Sequence, residues 1–211
     1  MLRKILAILI LTSCSAKKSE NESRIVKVDT AFYESGNPKS LTNYINGKVN
    51  GHRIEFYDEI DTFLFERNDE YYKGFEASIK KYSFFYENEK ISFEWKYDSN
   101  NIVYESFGSA LISFWAPDSI PAGNKFAMLM LVPCPPKSNG TLTLRFKSKN
   151  YEKTHIQNID ECNLRFDTVF QHKGIYNVII NSRIESSNSN IVEEDSIKFI
   201  LKVNDYQPQN N

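Results

Sequence analysis

Thr141-Leu142-Thr143-Leu144-Arg145-Phe146-Lys147 decides the architecture, because apolar and polar side chains change places at every step. Successive side chains of a β-strand point to opposite faces, so this stretch offers one face to a core and one to water. Upstream, Ile91, Phe93, Trp95 and Tyr97 alternate with Ser92, Glu94 and Lys96. Downstream, Ile197, Phe199, Leu201 and Val203 alternate with Lys198 and Lys202, interrupted only by Ile200. Half-buried strands of this kind assemble into antiparallel sheets. Turn-forming clusters separate them: Asp98-Ser-Asn-Asn101, Pro121-Ala-Gly-Asn124, Ser138-Asn-Gly140 and Ser186-Ser-Asn-Ser-Asn190. Residues 88–205 therefore predict a β-sandwich of about seven strands. Helical periodicity is confined to a short candidate near Glu76 to Tyr82.

Composition agrees with a mainly β fold. The chain of 211 residues is 41% hydrophobic and 25% charged, the balance of a folded protein. Its 12 Tyr, 15 Phe and 2 Trp favour strands over helices. With 26 basic and 27 acidic residues there is no basic field to hold a nucleic acid, and none is expected as a partner.

The segment before the sandwich repeats itself. Phe32-Tyr33-Glu34-Ser35, Phe56-Tyr57-Asp58-Glu59 and Phe85-Tyr86-Glu87-Asn88 each set an aromatic pair before an acid, at intervals of 24 and 29 residues. Between the first two lie Gly36, Tyr44-Ile45-Asn46-Gly47-Lys48 and Gly51. This stretch resembles the bacterial MORN-type repeat, aromatic-Tyr-x-x-Gly followed by Tyr-x-Asn-Gly-Lys-x-x-Gly. The resemblance implies a hairpin per unit, with Asn46-Gly47 at a tight turn of positive φ and Gly36 and Gly51 at the other bends. A second unit departs from the pattern, with Ile60 in place of a turn Gly and Tyr71-Tyr72-Lys73-Gly74 in place of Asn-Gly. Residues 29–87 are expected to form a short MORN-like sheet of about four strands, docked on the sandwich.

A second resemblance lies near the other end. His172-Lys-Gly174-Ile-Tyr176-Asn-Val178 resembles the Asp-x-Gly-x-Tyr-x-Cys segment of immunoglobulin-like domains. There the Tyr hydroxyl bonds back to the backbone at the corner before strand F. His172 replaces the Asp and Val178 the Cys, so an inter-sheet bridge of the antibody kind is excluded. The resemblance implies that 164–170, the strand through Tyr176, and 196–203 are strands E, F and G.

The first residues read as an address. Arg3 and Lys4 precede an apolar run from Ile5 to Leu11, far shorter than the roughly 20 residues of a membrane-spanning helix. Leu11-Thr12-Ser13-Cys14 resembles the bacterial lipobox. That resemblance implies removal of a signal peptide, residues 1–13, and conversion of Cys14 to an acylated diacylglyceryl thioether. Two or three acyl chains hold a protein to a bilayer where one leaves it exchanging. Residues 14–28 are then a lipidated flexible tether and residues 206–211 a disordered tail. Ser15 stands where Asp would resemble an inner-membrane retention signal, so the outer membrane is the expected location.

Loss of the leader leaves Cys134 and Cys162 beside the lipidated Cys14. In an oxidising compartment they are candidates for a disulfide, closing a loop of about 28 residues worth roughly 3–4 kcal/mol; the alternative is two thiols. Neither has a His nearby in sequence, so no zinc site is expected.

Chemistry is sparse. His52, His155 and His172 are widely separated, Ser109 lacks a nucleophile elbow, and eight Gly form no phosphate loop. The acid runs Asp58-Glu59-Ile60-Asp61, Asp69-Glu70 and Glu193-Glu194-Asp195 lack calcium-loop spacing and read as solvated loops. No catalytic residue, metal or cofactor is expected. Four triplets, at Asp29, Asp118, Asp167 and Asp195, set Ser or Thr and then an apolar residue after the Asp, and resemble a bacterial O-glycosylation acceptor. Aromatic residues surplus to a core make a candidate binding surface from Tyr71, Tyr72 and Trp115.

The expected role is a lipid-anchored, non-enzymatic binding or structural module of the bacterial envelope, with an envelope protein or a glycan as partner. Two alternatives are an antitoxin or immunity-type protein, since MORN-like units occur in proteins so labelled, and a glycan-binding or glycan-processing accessory protein. The last requires a shallow groove lined by Trp95 or Trp115 with two acids about 5–9 Å apart.

Overall fold

A computed structural model describes residues 26–58, 78–86 and 89–205. Cys14, the leader, the tether up to residue 25, the 206–211 tail, Tyr71, Tyr72 and most of the departing second repeat unit lie outside the described residues, whereas Val26 to Val28, expected as the end of the tether, are strand.

The described chain is all β, in three sheets. The first is a six-stranded antiparallel meander of β1 (Val26–Phe32), β2 (Pro38–Ile45), β3 (Lys48–Phe56), β4 (Ile79–Tyr86), β5 (Lys90–Tyr97) and β6 (Val103–Gly108), each strand beside its chain neighbour. Asn46 and Gly47 close the β2–β3 hairpin with φ of 51° and 79°, the two positive values that a type I′ turn requires. Gly51 does not make a bend. It sits within β3 at φ 87°, where the register against β2 shifts between Thr42 and Tyr44, so its left-handed backbone serves a β-bulge. The weak helical pattern near 76–82 gives way to strand from Ile79 onward, because Tyr82 and Phe84 find a sheet to pack in.

Strand β5 belongs to this meander rather than to the sandwich, and the sheet has six strands where about four were expected. Its inner face extends an aromatic row: Phe93 lies 6.2 Å from Tyr82 and 5.7 Å from Trp95, which lies 6.4 Å from Tyr97. Alternation assigns a strand its faces and not its neighbours, which is why β5 reads as sandwich.

The remaining strands form the sandwich. One layer orders β11 (Tyr151–Asn158), β10 (Ser138–Ser148), β13 (Gly174–Ser186), β14 (Val192–Asn204) and β8 (Ser119–Pro121). The facing layer orders β12 (Asn163–Val169), β9 (Lys125–Leu131) and β7 (Ser113–Trp115). Reading β9, β10, β12, β13 and β14 as B, C, E, F and G puts B beside E, and C beside F beside G, the pairing of immunoglobulin-like sandwiches. Tyr176 Oη donates to His172 O at 2.8 Å, closing the corner before β13. β8 departs from the antiparallel rule and pairs in parallel with the end of β14. Ser138-Asn-Gly140 opens β10 instead of forming a turn, and the chain bends just before it, at Lys137 with φ 56°.

Two clusters hold the molecule together. Between the layers lie Phe126, Met128, Leu142, Leu144, Phe146 and Ile180, all buried. The second is the seam, where Tyr82, Phe93, Trp95 and Tyr97 of the meander meet Ala110, Cys162 and Ile184 of the sandwich side. Polar side chains bond within it and at its edges. Tyr97 Oη donates to Pro136 O at 2.9 Å, Ser106 bonds to Glu193, and Ser109 to Asp195.

Candidate functional site

The meander does not cover the whole β12–β9–β7 layer, and a cleft of about 580 Å³ opens along the seam. Alternation in β7 fixes one wall. Phe114 turns inward and stacks on Phe199 at 5.3 Å, so Ser113 and Trp115 on either side point outward. Trp115 pairs with Leu129 of β9, and the two stand 62% and 48% exposed. Tyr86 Oη donates to Ser113 Oγ at 3.2 Å, tying the end of β4 to this wall.

The opposite wall comes from the β2–β3 hairpin and β4. The bulge at Gly51 places His52 on the inner face, level with Phe84 in register, while Asn43 and Asn50 also line the cleft. His52 meets Phe84 edge-on at 5.1 Å, and its Nδ1 lies 2.8 Å from Tyr82 Oη. That hydroxyl also accepts Cys134 N–H at 3.0 Å, so meander and sandwich share it. Burial pushes His52 down to about 4, which keeps the imidazole neutral at physiological pH.

Cys134, Cys162, Asp160, Glu161 and Asn163 complete the lining. The cleft thus presents aromatic and aliphatic surface, three side-chain amides, two carboxylates and a neutral imidazole. That combination suits an uncharged or polyhydroxylated ligand, with apolar faces for its flat surfaces and fixed dipoles for its hydroxyls. Among the described residues no group of three or more His, Cys, Asp or Glu could hold a metal ion.

The expected site residues scatter accordingly. Trp115 stands at the cleft, whereas Trp95 is fully buried and takes no part in any surface. Cys134 and Cys162 come together as lining residues, both as thiols. His155 packs against Phe166 at 5.0 Å, and His172 lends its carbonyl to the Tyr176 corner. Ser109 bonds to Asp195 and Leu111 O and serves the seam. Glu193, Glu194 and Asp195 pair with Ser106, Arg183 and Ser109, and Asp58 holds Ser35 and Asn37 of the β1–β2 turn, which lowers its carboxyl below the usual range. Three of the Asp-Ser/Thr-apolar triplets fall on β1, β12 and β14, and the one at Asp118 leads into β8.

Sequence reading missed Asn43, Asn50 and the His52–Tyr82 pair. The signal lay in Gly51: a glycine inside an alternating strand marks a bulge, and a bulge re-aims the next side chain. No known protein family matches the chain, and no curated protein matches it.

Proposed function

We propose that the protein is a lipid-anchored component of the bacterial outer membrane that binds a saccharide of the envelope in the seam cleft. One observation carries this reading. An exposed indole, Trp115, flanks a cleft that also presents the amides of Asn43, Asn50 and Asn163 and the carboxylates of Asp160 and Glu161. Sugar rings stack their C–H faces on aromatic surfaces and direct their hydroxyls to amide and carboxylate partners. His52, held neutral, adds a dipole without a charge. The role is binding. The anchor reading rests on the basic start, the short apolar run and Leu11-Thr12-Ser13-Cys14. Family-level descent goes with it: a MORN-like hairpin segment, supported by the Asn46-Gly47 turn, leads into an immunoglobulin-like module, supported by the Tyr176 corner.

The chain has two Trp, and Trp95 is fully buried, so a ligand in the cleft reports through Trp115 alone. Titration with peptidoglycan fragments and with lipopolysaccharide-derived oligosaccharide, followed by tryptophan emission, should give a saturable shift. Trp115→Ala should abolish binding by calorimetry while leaving the melting temperature unchanged. No response to either saccharide class, or equal affinity in Trp115→Ala, overturns the saccharide reading. A mature chain whose Cys14 carries no lipid by mass spectrometry overturns the anchor.

A further inference from the structure

We infer that Cys134 and Cys162 are a thiol–disulfide couple that closes across the wall of the cleft. The two side chains line one cavity, and Cys134 packs against the cluster to which Cys162 belongs, itself 8% exposed. Backbone pairing brings them there. β9 and β12 run antiparallel with Leu131 opposite Asn163, and one more bond, Val132 N–H to Cys162 O at 2.9 Å, carries the ladder past the strand ends. The ladder stops there: Cys134, two residues past Val132, gives its N–H to Tyr82 Oη instead and shares one cavity and one cluster with Cys162. A disulfide spans Cα atoms up to about 6.8 Å apart, so closure asks the segment after β9 to hold Cys134 within that reach of Cys162. The movable partner is Cys134, beyond the end of β9 and before the turn at Lys137.

Position gives the bridge a consequence. Cys134 N–H is the donor that ties Tyr82 of the meander to the sandwich, and Pro136 O, two residues on, accepts Tyr97. A bond from Cys134 to Cys162 fastens this docking segment to the start of β12. It fixes the seam at the point where the cleft opens.

The chemistry is thiol–disulfide exchange with the disulfide of an oxidoreductase or a small-molecule disulfide. One thiolate attacks the donor disulfide and expels a donor thiolate; the second thiolate then attacks the mixed disulfide and expels the other. Cys134 and Cys162 lose two electrons and two protons in all, and the donor leaves as two thiols.

The inference stands whether or not a saccharide occupies the cleft, and its test is separate. The full-length protein, equilibrated in an oxidising glutathione buffer and quenched with an alkylating agent, is mapped by mass spectrometry. One linked peptide pair containing residues 134 and 162 is expected, with neither thiol labelled until reductant is added. Reduction should lower the melting temperature by about 5–10 °C. In the oxidising buffer, Cys134→Ala, Cys162→Ala and the double variant should melt together, because either substitution removes the same bond. Separate alkylation or glutathionylation of the two residues, or melting losses that add in the double variant, overturns the inference.

Discussion

Tyr97 reaches across the seam to donate its hydroxyl to the carbonyl of Pro136 at 2.9 Å, and both residues are buried. The meander thus closes over the sandwich with a polar bond inside an apolar contact. Burial raises the Tyr97 phenol above its usual range, so it stays a donor in alkaline buffer. Tyr97→Phe keeps the ring and strands a buried carbonyl, for which a loss of about 1–3 kcal/mol is expected. Urea denaturation of wild type and variant measures it. A loss within error of zero would mean that water replaces the phenol.

Trp95 tests the apolar side of the same contact. Its indole is fully buried, and Nε1 has no hydrogen-bond partner among the described residues. Trp95→Phe removes that N–H along with part of the ring, so about 1–2 kcal/mol is expected, smaller than the volume change alone suggests. Trp95→Ala empties the site and should cost about 3–5 kcal/mol. Thermal or urea denaturation separates the two. A loss from Trp95→Phe well above that range would show that the N–H is satisfied in solution.

Gly108 marks where the meander must end. Its φ is 105°, and a Cβ there would lie 2.2 Å from Ser92 O and 2.6 Å from Phe93 Cα, both backbone atoms. Neither can swing aside, so Gly108→Ala has to break the β5–β6 pairing at Phe93. We expect a loss of about 3 kcal/mol or more and early amide exchange at the end of β6. Gly140→Ala separates crowding from backbone strain: its φ lies outside the left-handed region, yet its Cβ would lie 2.7 Å from Ile159 Cβ, which moves only with its backbone, so a loss without the strain contribution is expected.

Much of this fold is legible in the sequence where one residue decides one local geometry. Asn46-Gly47 dictates a hairpin turn, Tyr176 a corner, and Leu142, Leu144 and Phe146 an inner face, and each stands where the pattern puts it. Partnership between elements was not legible. Nothing in Ile91 to Tyr97 says which sheet it joins, because its apolar face suits either, and the choice falls to the aromatic row it completes with Tyr82. The cleft was illegible for the same reason. His52, Trp115 and Cys162 lie far apart in sequence and meet only because two sheets dock imperfectly, a property of shape that no local spacing records. Trp95 and Trp115 show the limit plainly: similar residues in similar strands, one sealed in the seam and one at its open edge.

His52 couples that open edge to pH. Its imidazole titrates near 6.5 in the unfolded chain and is pushed to about 4 in the fold by burial. The unfolded state therefore takes up a proton that the folded state refuses. This contribution to stability is fully present above pH 6.5 and is lost as pH falls toward 4. A shift of this size corresponds to at most about 3 kcal/mol, spread over that window. Other groups titrate there too, so the informative quantity is the difference between wild type and His52→Gln, which keeps a polar partner for Tyr82 and does not titrate. Midpoints of urea unfolding measured from pH 8 to pH 4 should run parallel above 6.5 and converge or cross below it, with wild type losing ground. Profiles that stay parallel throughout would place the imidazole in water rather than against Phe84.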